Sequence, residues 1–267
     1  MEFLISYVSY IFLFFGTMIG FGLFNALLEG QANRYIYSIF GRIGLFLSSL
    51  VGTTIHELSH AFFVLFTGHK IVKMKLFPNI KQFGTNAPLG YVTYRTSKSF
   101  WGKLSMFFIS IGPIIMGPLA ILVLMKLLIP TVYFEIFEII ELAITDGLEI
   151  IPLIVNIVFA FIKGICSIEV LSSITFYIFL FLACSIACHI TLSWQDIKGA
   201  FIGFIYLICL FIVLGFILLI FPNVQMSFLK VLFIIVSFFE LLYVISLLFS
   251  LIIYILSGLF FYIIRKM

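Results

Sequence analysis

Long apolar runs recur along the whole chain, and they restrict the fold to helices that lie in a membrane. Of the 267 residues, 64% are hydrophobic and only 10% are charged. A helix of about 20 apolar residues crosses a hydrocarbon layer of about 30 Å. The segments that meet this requirement are approximately 3–27, 36–66, 101–129, 166–191, 199–221 and 230–264. The sequence therefore predicts an all-α polytopic membrane protein with about six transmembrane helices, in a single domain that covers residues 1–267.

The charges of two connections predict the orientation in the membrane. The stretch 69–103 contains seven basic residues and no acidic one: Lys70, Lys73, Lys75, Lys81, Arg95, Lys98 and Lys103. The stretch 130–162 contains only acidic charges: Glu135, Glu138, Glu141, Asp146 and Glu149. Because basic loops tend to stay in the cytoplasm, we expect the first stretch to be cytoplasmic. Six spans then place both termini in the cytosol, and we expect the membrane to be a prokaryotic cytoplasmic membrane.

Between the second and third predicted spans, the sequence pattern changes from helical to alternating. Lys73 and Lys75 alternate with apolar residues, and a second such run follows at 89–94. Alternation of this kind predicts strands, so we expect a small β-hairpin on the cytoplasmic side. Two roles are open for it, because its free edge can hold an extended substrate by strand addition and its cations can bind lipid headgroups.

The second predicted span contains a motif of potential metal ligands, His56-Glu57-Leu58-Ser59-His60. Residues four apart point the same way on a helix, so His56 and His60 suit two ligands of one zinc ion. Glu57 lies beside them and can act as a base. An ionisable residue in mid-membrane costs at least ~2.5–3.5 kcal/mol and is rarely kept without a role. We therefore favour a Zn²⁺ site over histidines that only hydrogen-bond to neighbouring helices.

A catalytic zinc ion needs a third protein ligand and one open position for water. Asp196 is the preferred candidate, because few other carboxylates can reach this region of the bundle. The sequence from Ser193 to Asp196 also fits a capping box, so a purely capping role is the alternative. His189 is the second candidate ligand, although a lone histidine in a helical bundle more often hydrogen-bonds to a neighbouring helix.

The motif and its surroundings resemble a known family. The sequence His56-Glu-Leu-Ser-His60-Ala near the end of a membrane helix, followed by Thr-Gly68-His-Lys and a basic, strand-rich loop, is similar to the site-2 protease family of intramembrane zinc metalloproteases. The resemblance implies that the two histidines are ligands, that Glu57 is the catalytic acid/base, and that Asp196 is the aspartate ligand from a later helix. The family's aspartate lies in an asparagine- and proline-rich Asp-Gly motif, which is absent around Asp196, so the chain resembles a divergent branch.

Three functional classes fit these observations. The first is a protease that cuts a membrane protein or peptide in or near a membrane-spanning segment. The second is a zinc hydrolase that acts on a lipid-linked substrate. The third is a metal-ion transporter that uses the buried His and Asp groups. Glu57 argues against transport, because hydrolysis needs a base beside the metal and transport does not. Transporters also more often show internal repeats, and this sequence shows none. We expect the lipid bilayer, and no nucleic acid, as a partner.

Polar residues outside the motif give weaker signals. Glu240 lies in the last predicted span, where a carboxyl group needs either a cationic partner such as Lys126 or Arg42, or protonation. The acids of 131–149 are spaced among apolar residues, which is typical of an amphipathic helix on the membrane surface. The cysteines at 184 and 188 are one helical turn apart, and we interpret them as small buried hydrophobic residues rather than a second metal site.

Overall fold

The computed structural model describes residues 2–83, 85, 88–146 and 150–266. Its helices and strands, in chain order, are α1 (Glu2–Phe66), β1 (Lys70–Lys75), β2 (Tyr91–Arg95), α2 (Phe100–Leu128), α3 (Pro130–Asp146), α4 (Ile150–Ile165), α5 (Ile168–Leu171), α6 (Ile174–Ala187), α7 (Trp194–Ile220) and α8 (Pro222–Lys266), with one 3-10 turn at Ile80–Gln82. The predicted class, a helical membrane protein with one small hairpin, agrees with this order.

Among the described residues, four helices are long and apolar enough to cross a membrane: Phe3–Phe66, Phe100–Leu128, Trp194–Ile220 and Pro222–Lys266. The predicted number of six spans is not confirmed. The predicted span at 166–191 is divided, because Ser173 caps the start of a new helix, α6, which has only 14 residues. The first two predicted spans both fall within α1.

Helix α1 is interrupted at Gly41, where φ is 60° and ψ is −147°. This conformation is accessible to glycine and costly for other residues. The interruption divides α1 into a first arm, 2–40, and a second arm, 42–66. The predicted spans 3–27 and 36–66 put the break at 28–35 instead, where polar residues interrupt the apolar pattern.

The two arms of α1 double back on each other. In the first arm, the Asn25 side chain donates a hydrogen bond to the backbone oxygen of Ala187 at 2.8 Å. In the second arm, the backbone nitrogen of Gly52 donates to the Ser185 hydroxyl at 3.1 Å. Since both arms contact the last turn of α6, the chain reverses direction at the break.

The first arm of α1 runs parallel to α8. The rings of Tyr7 and Phe228 are 6.0 Å apart, and those of Tyr35 and Phe261 are 5.2 Å apart. Because residue numbers increase in the same direction along both helices, the N-terminal end of α1 and the C-terminal end of α8 lie at opposite ends of the bundle. This arrangement does not agree with the predicted placement of both termini in the cytosol, which assumed six full crossings of the membrane.

The predicted β-hairpin is present, with β1 and β2 antiparallel and a bulge between Ile71 and Lys73. The hairpin does not extend away from the helices but folds back along the second arm of α1. The ring of Phe83, beyond β1, packs edge-on against Phe46 at 6.4 Å. Gly90, just before β2, lies against the side chain of Glu57. The hairpin therefore covers the part of the second arm that contains the histidine motif.

Helix α7 approaches α2 closely through two glycines. A Cβ atom at Gly199 would collide with the hydroxyl of Ser110, and one at Gly203 would collide with the backbone of Phe107. Small residues at such contacts let membrane helices pack with their backbones near one another. This close approach brings the first turn of α7 next to the second arm of α1.

The acidic segment after α2 forms helix α3, as the amphipathic pattern predicts. Val132 and Ile136 are buried in the core, while Glu138 is exposed. The only ion pair of this region among the described residues joins Lys163 of α4 to Glu135, at 3.9 Å. The end of the predicted segment, including Glu149, lies outside the described residues.

Candidate metal centre

The second arm of α1 and the first turn of α7 bring three potential ligands together. His56, His60 and Asp196 each offer one ligand atom, and these atoms lie within 4.8 Å of one another. The Nε2 atom of His60 is 3.1 Å from Nε2 of His56 and 3.4 Å from Oδ1 of Asp196. The Nε2 atom of His56 is 3.9 Å from Oδ2 of Asp196. The three predicted ligands therefore form one group that can hold a metal ion.

The hydrogen bonds of the two histidines define which ring nitrogens face this group. Nδ1 of His56 is 2.9 Å from the backbone oxygen of His189, and Nδ1 of His60 is 2.7 Å from that of Ile109. A carbonyl oxygen only accepts, so both Nδ1 atoms donate and the neutral rings have bare lone pairs at Nε2. Two such lone pairs 3.1 Å apart, next to a carboxylate, repel one another. A shared cation, either a metal ion or a proton, is needed between them.

The spacing of the group is compatible with a tetrahedral zinc ion. Ligand atoms 2.0–2.1 Å from a tetrahedral zinc are about 3.3 Å from each other. The observed separations of 3.1 Å between the two histidines and 3.4 Å between His60 and Asp196 are close to that value, and the separation of 3.9 Å between His56 and Asp196 is longer. Backbone carbonyls that hold the Nδ1 atoms of metal-binding histidines are the usual outer partners of such sites.

Asp196 both caps α7 and faces the histidines. Its Oδ2 atom accepts hydrogen bonds from the backbone nitrogen of Ser193 at 2.9 Å and from the Ser193 hydroxyl at 2.6 Å. The Ser193 hydroxyl accepts in turn from the backbone nitrogen of Asp196 at 3.2 Å, which completes a capping box. Oδ1 is the carboxylate oxygen nearer to His60. The two interpretations of Asp196 are therefore compatible, because the cap orients the carboxylate toward the group.

His189, the second candidate ligand, is not part of the group in the described part of the chain. Its ring Nδ1 donates to the backbone oxygen of Ser185 at 3.0 Å, within its own helix. The ring packs against Gly52, where a Cβ atom would collide with it. His189 contributes through its backbone oxygen, which holds the ring of His56. Residue type does not reveal the position of a backbone carbonyl, so this role could not be predicted from the sequence.

Glu57 is buried beside the group, with 8% of its surface exposed. Its carboxyl group forms no hydrogen bond with any described residue, and it interacts electrostatically with His60 and Asp196. Gly90 of the hairpin packs on this carboxyl group, since a Cβ atom at residue 90 would meet Cγ and Oε1 of Glu57. Because it has no hydrogen bond with a described residue, this carboxyl group can exchange a proton with a molecule that the three potential ligands hold.

Tyr94 of β2 is a neighbour of the site, and it was not among the predicted site residues. Its hydroxyl is hydrogen-bonded to Ser110 of α2, and it interacts electrostatically with Asp196. Burial raises the pKa of the Tyr94 phenol above its usual value. The chain contains 12 tyrosines, and nothing in the local sequence distinguishes this one.

The other polar residues singled out in the sequence lie apart from the group. Glu240 is hydrogen-bonded to the Thr17 hydroxyl at 2.5 Å. Neither Lys126 nor Arg42 forms an ion pair with it in the described structure, and Lys126 lies over the ring of Tyr133 instead. The cysteine at 184 is buried and donates to the backbone oxygen of Phe249 at 3.7 Å.

No family model, curated protein or solved structure matches the chain.

Proposed function

We propose that this chain is a zinc-dependent intramembrane protease of the site-2 protease type, which hydrolyses a peptide bond in or near a membrane-spanning segment of its substrate. One observation carries the proposal: two bare imidazole nitrogens and a carboxylate oxygen converge beside the carboxyl group of Glu57, which has no hydrogen bond with any described residue. Three protein ligands leave one position of a tetrahedral ion open, which is the arrangement of catalytic rather than structural zinc sites.

His56, His60 and Asp196 would hold the ion, and a bound zinc would supply a water of lowered pKa and polarise the scissile carbonyl. Glu57 accepts the proton of the attacking water and then delivers it to the departing amine. The hairpin excludes bulk solvent from Glu57, because Gly90 lies directly on its carboxyl group. The capping box at Ser193 fixes the orientation of the third ligand.

The hairpin also supports a peptide substrate. A peptide bond inside a helix is shielded by its own hydrogen bonds, so a transmembrane substrate must become extended before it is cut. Strands β1 and β2 pair only with each other among the described residues. A free strand edge beside Glu57 can therefore hold an extended segment by strand addition.

We further propose that the end of the bundle where the hairpin begins and ends faces the cytoplasm, because this connection contains six of the seven basic residues of the stretch 69–103, and the seventh, Lys103, lies in the first turn of α2. His60 is six residues from the end of α1 at Phe66. At 1.5 Å per residue, the group lies about 9 Å inside that end. Cleavage is expected in the half of the membrane nearer to this face.

A second candidate function, hydrolysis of a lipid-linked substrate, is favoured by an apolar groove next to Asp196. The groove has a volume of about 400 Å³ and lies between the first arm of α1, α2 and α7. Its lining includes Met18, Phe107, Ile197 and Phe204. Ile197 directly follows Asp196, so the groove and the metal group share the first turn of α7.

Product analysis distinguishes the two candidates. Membranes from cells with the native protein and with Glu57→Gln should differ in membrane-protein fragments if the chain is a protease, and in lipid species if it acts on lipids. Glu240→Gln is the matched control, because Glu240 is another buried carboxyl group that lies apart from the metal group. Identical fragment patterns in all three samples would contradict the protease proposal.

A further inference from the structure

The first arm of α1 holds the end of α6 and the connection from α6 to α7 at one point each. The Asn25 side chain donates to the backbone oxygen of Ala187 at 2.8 Å, and the Thr191 hydroxyl donates to the carboxylate of Glu29 at 2.5 Å. Asn25 and Glu29 are four residues apart and lie on one face of the arm. Ala187 and Thr191, which they contact, are also four residues apart. We call Asn25 and Glu29 the clamp.

The connection that the clamp holds, residues 188–193, supports two of the three potential ligands. The backbone oxygen of His189 accepts the hydrogen bond from Nδ1 of His56 at 2.9 Å. The Ser193 hydroxyl donates to the carboxylate of Asp196 at 2.6 Å. Any shift of this connection therefore moves the outer partners of His56 and Asp196 together.

The polar groups of the clamp are costly to bury, and the Oδ1 atom of Asn25 has no hydrogen-bond partner among the described residues. Asn25 has no exposed surface, and its amide donates to the backbone oxygen of Ala187, which otherwise accepts only a long bond of 3.5 Å from the backbone nitrogen of Ile190 among the described residues. Glu29 also interacts electrostatically with His189. Ionisable groups inside a membrane bundle are rarely kept without a role, and neither residue touches the three ligands directly.

We propose that Asn25 and Glu29 are positioning residues of the metal centre, which fix the connection 188–193 and through it the ring of His56 and the carboxylate of Asp196. This inference rests on the metal group and not on the kind of bond that the protein cuts. Loss of an outer partner of a metal ligand typically lowers metal affinity about 10–100-fold, and the clamp acts on two such partners at once.

Zinc affinity of the purified full-length protein in detergent tests the clamp, measured by competition with a chelating dye. Thr191→Val keeps the shape of the side chain and removes the hydroxyl, and Glu29→Ala removes the acceptor. We expect each to weaken zinc binding about 10–100-fold. Glu29→Gln keeps an oxygen that accepts from Thr191, so it should restore most of the affinity. Cobalt in place of zinc adds a visible spectrum, which should change in Thr191→Val if the ligand geometry changes.

Thr17→Val is the matched control. The Thr17 hydroxyl is on the same arm of α1 and forms an equally short hydrogen bond of 2.5 Å, but to Glu240 of α8. This variant loses a similar contact without touching the connection 188–193, so it should bind zinc as the native protein does. Equal losses of zinc affinity in Thr17→Val and Thr191→Val would mean a general loosening of the bundle and would overturn the proposal. Native affinity in both Thr191→Val and Glu29→Ala would overturn it as well.

Hydrogen exchange of the metal-free protein separates this inference from the proposed function. The backbone amides of 188–193 should exchange faster in Thr191→Val than in Thr17→Val or in the native chain. If the native chain takes up no zinc, the protease proposal fails and the exchange measurement alone decides on the clamp. Unchanged exchange at 188–193 would then overturn it. If Glu29→Ala does not accumulate, Thr191→Val gives the same comparison.

Discussion

Gly90 of the hairpin lies directly on the carboxyl group of Glu57, which has no hydrogen bond among the described residues. Only a residue without a side chain fits there, because a Cβ atom would meet Cγ and Oε1 of Glu57. The hairpin and the histidine motif are therefore in contact at the one side chain that is expected to move protons.

Gly90→Ala should displace the carboxyl group of Glu57 and lower turnover, on the order of 10²-fold for a misplacement of about 1 Å. Zinc content should not change, because Glu57 is not one of the three potential ligands. Gly20→Ala is the control, since nothing lies within 4 Å of a Cβ atom added there. Native turnover in Gly90→Ala would show that this contact does not position Glu57.

His56→Ala and His60→Ala should each abolish the binding of about one zinc ion per chain, because a catalytic site has only three protein ligands. The measurement is metal analysis of purified protein after dialysis. His69→Ala is the control, because His69 is hydrogen-bonded to Ser105 and lies outside the group. Full zinc content in both His56→Ala and His60→Ala would place the metal elsewhere.

Asp196→Asn and Ser193→Ala separate the two roles of Asp196. Asn keeps much of the capping ability but loses the anionic ligand, so zinc affinity should fall by more than the 10–100-fold typical of an outer partner. Ser193→Ala removes the cap, at a cost of about 1 kcal/mol in folding stability, and it should weaken zinc binding less than Asp196→Asn. The reverse order would return Asp196 to a purely capping role.

The spacing of four residues was sufficient to predict that His56 and His60 face the same way, and the alternating run was sufficient to predict the hairpin. The reversal at Gly41 was not predictable, because it takes one residue inside an apolar stretch and leaves no polar loop. The contacts of Glu57 with Gly90 were also beyond the sequence, since they depend on how the hairpin folds back along α1. The reversal and the contact with Gly90 depend on packing between distant segments, whereas the histidine spacing and the hairpin depend on local sequence pattern.

Labelling of single cysteines tests the orientation. Lys98 and Glu138 are both exposed, and they lie near opposite ends of the 29-residue helix α2. With the two exposed native cysteines, Cys166 and Cys209, changed to serine, Lys98→Cys should be shielded from an impermeant reagent added outside intact cells, while Glu138→Cys should react. Reaction of Lys98→Cys alone would reverse the proposed orientation.

The most direct test of the central claim is Glu57→Gln, measured for zinc content and for cleavage of a membrane-spanning substrate in the same preparation. The amide keeps the shape of the side chain but cannot accept the proton of the attacking water. We predict that zinc content stays at the native level while turnover falls by a factor on the order of 10²–10⁴. Cleavage at the native rate by Glu57→Gln would contradict the account and would make metal flux in liposomes the next measurement.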